Sequence, residues 1–184
     1  MKYNGEISNV VNEYLENEYD SDTSACFNIE NAPGTEYLKI RRVYLVNEEM
    51  LPISFGFINQ VIGICVEYDV LVDGMTFTHG FNLFNAYDVH VFTSHDNTTI
   101  GEETKQGYYR TIAWIPANLL QSCDYFFTFA FMQYNPFKVL FHSPYLIRIH
   151  MVDDLDAPTR NVNYNGGLPG VVRPIINWSS RQKC

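Results

Sequence analysis

The sequence is short of positive charge. Lys and Arg total 12 against 21 Asp and Glu, a formal net charge of −9, and no basic run is present to follow a phosphate backbone. That excludes nucleic acid and anionic membrane surfaces as principal partners and favours neutral ligands. Long apolar runs are also missing. None approaches the ~20 residues of a spanning helix, and the opening MKYNGEISNVVNEYLENEYD has no apolar signal-peptide segment. A soluble protein that stays in the cytoplasm is the expectation. Cysteine is scarce: Cys26, Cys65, Cys123 and Cys184 lie far apart with no CxxC pair, so a structural zinc site is not expected. With Cys184 terminal, reduced thiols fit better than a framework of disulfides. No HExxH, HxH or GxSxG motif occurs, and Gly166-Gly167 with Gly170 lacks the strand–loop–helix setting and the Lys of a phosphate loop. No metal and no cofactor are expected.

What the sequence does have is aromatic and β-branched material. Of 184 residues 46% are hydrophobic, including 13 Phe and 13 Tyr, enough for one domain with a full core. Residues 6–17 (EISNVVNEYLEN) space Ile7, Val10, Val11, Tyr14 and Leu15 three and four apart, the stripe of a short helix. Residues 18–35, rich in Asp, Ser and Asn and closing on Pro33-Gly34, read as a linker. From Tyr37 the pattern is β. Residues 37–46 alternate loosely, and 61–72 alternate well, with Ile62, Ile64, Val66, Tyr68 and Val70 on one face. Further strands are expected at 76–84, 89–94, 107–115, 125–133, 145–152 and 171–178, and PANLLQSC at 116–123 suits a helical turn. Short strands without alternating helices predict an all-β fold, an immunoglobulin-like antiparallel β-sandwich preceded by a short helix and linker.

Two chemistries compete for the polar residues. His90 and His95 with Asp88 and Asp96, in YDVHVFTSHD, form the densest titratable cluster and define the enzyme reading, although isolated histidines at strand ends are more often satisfied surface groups. Asp153-Asp154 reads as a solvated loop. The binding reading needs aromatic faces and planar polar groups on outward strand positions, where a sugar's C–H surface and hydroxyls are both met. In GYYRTIAWIP, with Thr111, Ala113 and Ile115 inward, Arg110, Ile112 and Trp114 point out. In TFTHGFNLF, with Phe77, His79, Phe81 and Leu83 inward, Asn82 and Phe84 point out. The candidate carbohydrate-binding residues are therefore Trp114, Arg110, Asn82 and Phe84, with His95 at the rim. Trp114 and Phe84 are equally compatible with partial burial or a subunit interface.

Read in order, KIRRVYLVNEE, VEYDVLVDG, HGFNLFNAYDVHVFTSHD, GYYRTIAWIPANLL and GGLPGVVRPIINW resemble the C-terminal domain of Wzt-type ATP-binding subunits of O-antigen polysaccharide ABC transporters. The resemblance runs from Tyr37 to Trp178 and is most specific in IPANLL and GGLPGVVRPIINW. NGEISNVVNEYL looks like the closing helix of an ABC nucleotide-binding domain, while the ATPase motifs themselves are absent. The resemblance therefore implies that residues 1–35 are the remnant of that domain plus a linker, and 36–184 the carbohydrate-binding sandwich. It implies a non-catalytic module at the inner face of the bacterial inner membrane, working with the transporter's transmembrane subunit. Its ligand would be the terminally modified, non-reducing end of a lipid-linked O-polysaccharide. It also implies a homodimer, in some relatives made by exchange of C-terminal strands. Gly166, Gly167 and Gly170 would then be the hinge, and Val171, Val172, Ile175, Ile176 and Trp178 the exchanged strand; an ordinary last strand within one chain is the alternative. Two other functions stay open beside the binding module: a purely structural dimerisation domain, and a glycan-modifying enzyme using His90, His95 and Asp96.

Overall fold

The computed structural model describes residues 22–98, 103–155, 157–160, 164 and 166–180. The expected helix at 6–17 lies outside them. Two sheets face each other. The first holds β1 (Ser24–Cys26), β2 (Leu38–Val46), β5 (Ile62–Val70) and β10 (Gly107–Ile115) in that order, with β3 (Pro52–Ile53) beside β2. The second runs β4 (Gly56–Phe57), β13 (Ile147–Val152), β11 (Asp124–Gln133), β7 (Thr78–Asn85) and β8 (His90–His95), with β12 (Lys138–His142) also on β11. A short ribbon pairs β6 (Met75–Thr76) with β9 (Glu103–Thr104). The pairings are antiparallel apart from the brief parallel contact of β4 with β13. The all-β sandwich read from the sequence is the fold.

Alternation builds the core. From β5, Ile62, Ile64, Val66, Tyr68 and Val70 point inward and are buried, as expected; β11 supplies Tyr125, Phe127, Phe129 and Phe131 from the other side. Period-2 patterning in both sheets thus closes a single apolar layer between them. The looseness of 37–46 has a specific cause. A bulge between Ile40 and Arg42 adds one residue to β2, so the inward set shifts from Leu38 and Ile40 to Val43 and Leu45. The extra residue, Arg41, reaches the carbonyl of Phe27 at 3.1 Å and Asp69 at 2.8 Å.

Several local readings change. Residues 24–26, read as linker, form β1, and Thr23 and Ala32 on either side are buried. Cys65 points outward but is covered rather than exposed, since Tyr44, Val46, Met50 and Ile112 close over it. Asp153 and Asp154 are not a solvated loop: Asp153 pairs with Arg160 and with Arg173, and Asp154 accepts a 2.6 Å bond from Asn59. Residues 171–178 do not form a strand within the chain. Val172 makes one isolated bridge to Leu120, Arg173 is buried, and the segment beyond has no strand partner among the described residues.

One buried titratable group ties the two sheets together. Nε2 of His79 on β7 lies 2.8 Å from the Tyr68 hydroxyl on β5, and Nδ1 lies 3.4 Å from the Asp96 carboxylate. Burial pushes the His79 pKa down, against the opposing pull of Asp96. The folded state therefore holds the ring neutral, while the unfolded chain takes up a proton near pH ~6.5. Because the unfolded state binds more protons, stability is fully present above that pH and falls as pH drops toward the lower folded value. The expected result is a melting temperature that declines between pH 7 and 5, with the decline reduced in His79→Gln; an equal decline in both proteins would refute the assignment.

Candidate functional site

The sandwich is open on one side. Among the described residues the first sheet ends at β10 and the second at β8, and these edges are not hydrogen-bonded to each other. Inward residues of β10, Thr111 and Ala113, are accordingly only half-buried, whereas those of the central strand β5 are fully covered. Between the edges lies a cleft of about 610 Å³, with Val66, Phe81, Phe127 and Phe129 inside and Arg110, Ser94, His95 and Asp96 at its lips. This is the size and composition of a ligand pocket, apolar within and polar where it meets solvent.

A second, smaller depression of about 230 Å³ on the outer face of the second sheet shares Gly80, Phe81 and His95 with the cleft and also involves Asn82, Thr93, Phe137, Val139 and His142. Strand pairing sets this shelf. Register puts Asn82 between Thr93 of β8 and Thr128 of β11, and the alternation that turns Phe81 and Leu83 inward turns Asn82 outward. The Asn82 amide donates to His142 Nε2 at 2.9 Å, and its carbonyl accepts from the Thr93 hydroxyl at 2.7 Å. Thr93 also lies 2.9 Å from His90 Nε2. His95 Nδ1 sits 2.7 Å from the Tyr134 hydroxyl, and Tyr134 meets Phe137 with ring centroids 5.5 Å apart. At Gly80 the side chains of Met132 and His95 close over the strand, since a Cβ there would come 2.5 Å from Met132 Cε and 2.9 Å from His95 Cδ2.

The structure divides the residues selected from the sequence. Asn82, Phe84 and His95 share the outer face of the second sheet; Arg110 and His95 line the cleft from its two lips, and His95 and Asn82 line the neighbouring depression. Phe84 lies further along, its ring stacked on His90 at 5.0 Å and meeting Tyr145 edge-on. Trp114 stands on the outer face of the first sheet, away from the groove. It is 44% exposed and lies across Gly63, where an added Cβ would approach its Cζ3 to 2.8 Å. Sequence reasoning missed Thr93, Tyr134, Phe137 and His142. The available signal was the aromatic pair in QYNPF, a turn carrying more apolar surface than a turn needs.

The acidic and imidazole groups weighed as an enzyme do not converge. Asp88 accepts from Tyr145, His90 stacks on Phe84, His95 faces Tyr134, and Asp96 holds the Thr98 amide at 2.8 Å and hydroxyl at 2.7 Å. Burial would raise the Asp96 pKa, but the Thr98 and His79 hydrogen bonds bring it below the ordinary carboxylate value. Among the described residues there is no group of three or more His, Cys, Asp or Glu arranged to hold a metal. The shelf offers hydroxyl, carboxamide and imidazole groups beside aromatic rings, which is chemistry for holding a polar ligand in place. Among the described residues no helix is long and apolar enough to cross a membrane.

No protein-family model matches the sequence, and no curated protein matches it significantly. Comparison with solved structures finds a crystal structure of the C-terminal domain of wzt, with a TM-score of 0.63 at 13% identity, covering 88% of this chain and 89% of that one. At that identity the likeness is one of fold, and it extends over nearly the whole of both chains.

Proposed function

We propose, from a fold shared with the C-terminal domain of wzt, that this domain is a non-catalytic carbohydrate-binding module of a polysaccharide ABC transporter. Its ligand is the terminally modified, non-reducing end of a lipid-linked O-polysaccharide, selected for export in the cytoplasm at the inner membrane through the transporter's ATP-binding and transmembrane subunits. The observation that carries the reading is the shelf, where the bonded array of Thr93, Asn82 and His142 lies beside Phe137 and His95. Sugars need both at once, hydrogen-bonding groups for hydroxyls and ring faces for C–H surfaces. Titration calorimetry with capped and uncapped polysaccharide from the source organism tests it. Capped chains are expected to bind, and Asn82→Ala to weaken binding by about 1–3 kcal/mol, since it leaves sugar and imidazole partners unpaired. Trp114→Ala, on the opposite face, should leave affinity unchanged. A folded domain that binds neither chain would instead support the purely structural dimerisation role.

The same reading includes a homodimer built by exchange of C-terminal segments. Gly170, at φ +120°, breaks the approach, Arg173 is anchored, and Ile175, Ile176 and Trp178 then lie 53%, 60% and 90% exposed outside any regular element. A segment with that much apolar surface and no strand pairing among the described residues is what exchange would use. Truncation after Pro174 is expected to leave a folded monomer by light scattering. A dimer that survives the truncation would refute exchange.

A further inference from the structure

We propose that the cleft between β8 and β10 receives an aliphatic substituent, an alkyl or acyl group of several carbons, carried by the sugar that lies on the adjoining shelf. The inference rests on the carbohydrate reading and names the class of ligand that the site takes. The interior is hydrocarbon, from Val66, Phe81, Phe127, Phe129 and the methyl of Ala113. A sugar ring pushed in there would lose water from several hydroxyls and find the Thr111 hydroxyl as its main replacement partner. His79 contributes no free group, because both its ring nitrogens already face Tyr68 and Asp96. At the lip the Asp96 carboxylate and the Arg110 guanidinium set both signs of charge beside the mouth, so the entrance favours neither an anionic nor a cationic substituent. At about 610 Å³ the space lies within the usual range of small-molecule pockets, ~300–1,000 Å³, so a single methyl would leave most of it empty. The cleft and the shelf share Gly80, Phe81 and His95 in their lining, so the two are neighbours that one ligand would bridge with its polar ring on the shelf and its apolar arm between the sheets.

The test uses the whole chain, isotopically labelled, titrated by NMR with n-alkyl β-D-glucosides from methyl to heptyl below their micellar concentrations. Affinity is expected to rise about fourfold per methylene as apolar surface enters the cleft, with amide shifts centred on Gly80, Ser94, Thr111 and Ala113. Ala113→Phe fills the cleft and should abolish the dependence on chain length; the wild-type series stands by itself if that variant does not fold. Affinity that is flat with chain length, shifts confined to other surfaces, or a length dependence unchanged in folded Ala113→Phe would each overturn the assignment. The two readings fail separately. A flat series with polysaccharide binding intact removes this inference alone, whereas an intact slope in a domain that does not bind polysaccharide removes the carbohydrate reading.

Discussion

Asp153→Ala is expected to destabilise the domain by about 3–5 kcal/mol, the usual consequence of leaving buried charge without its partner. Asp153 receives Arg160 through Nε at 3.3 Å and through Nη2, and Arg173 through Nη1 at 2.9 Å. The two arginine side chains are only 7% and 5% exposed. Substitution strands the Arg173 guanidinium away from water, while Arg160 keeps the carbonyls of Tyr164 at 3.1 Å and Gly166 at 3.2 Å. Arg173 has little to fall back on, because its Nε and Nη2 have no hydrogen-bond partner already and Gln121 lies at 3.5 Å. For a chain of this size ~2–4 °C is lost per kcal/mol, so thermal unfolding reads the effect easily. Asp153→Asn keeps an acceptor without the charge and should fall between. Burial would raise the Asp153 carboxyl pKa, but its arginine hydrogen bonds outweigh that and hold it below the ordinary value. Its contribution is therefore present above the unfolded pKa of about 3.9 and lost as pH falls through the lower folded value. A loss under about 1 kcal/mol in Asp153→Ala would show that the pairs are not a source of stability.

Phe131→Ala is expected to cost a similar amount, about 3–5 kcal/mol, by opening a cavity that its neighbours cannot fill. Phe131 is fully buried on β11 and meets Tyr68, Phe77 and Phe129 edge-on at centroid distances of 5.2, 5.5 and 5.2 Å. The Tyr68 contact crosses from one sheet to the other, so the ring is part of what holds the sandwich closed. Phe137 provides the contrast. It is 58% exposed at the edge of the shelf, and its replacement by Ala should change stability by no more than about 0.5 kcal/mol. Chemical denaturation of the pair decides the matter: comparable losses would mean that the inward and outward faces near β11 and β12 have been misjudged.

The class of fold was legible because a sheet residue's direction is a local property. Once Ile64 and Val66 are inward, period 2 leaves the other inward positions of that strand no choice. Phase was right on β10 for the same reason, with Arg110 and Trp114 out and Thr111 and Ala113 in. Bulges interrupt that rule. The added residue at Arg41 obscured the pattern of β2, and another at Val91 separates His90 from the regular spacing of β8. The short strands β1, β3, β4 and β9 carry too few residues to show any period.

Alternation in the sequence determined which side chains leave the core, and charge and motif content determined which chemistries to set aside. It did not determine which outward residues meet. Trp114 and Asn82 looked equivalent along the chain, yet their strands belong to different sheets, and an outward residue of one sheet faces away from that of the other. Only the pairing order made β8 and β10 the open edges, and only their separation created a cleft between Arg110 and His95, beside the depression that holds Asn82. The same is true of Asp153, whose arginine partners Arg160 and Arg173 arrive from later in the chain. Direction relative to a strand is set by neighbouring residues; contact between strands is set by long-range pairing, which no local pattern encodes.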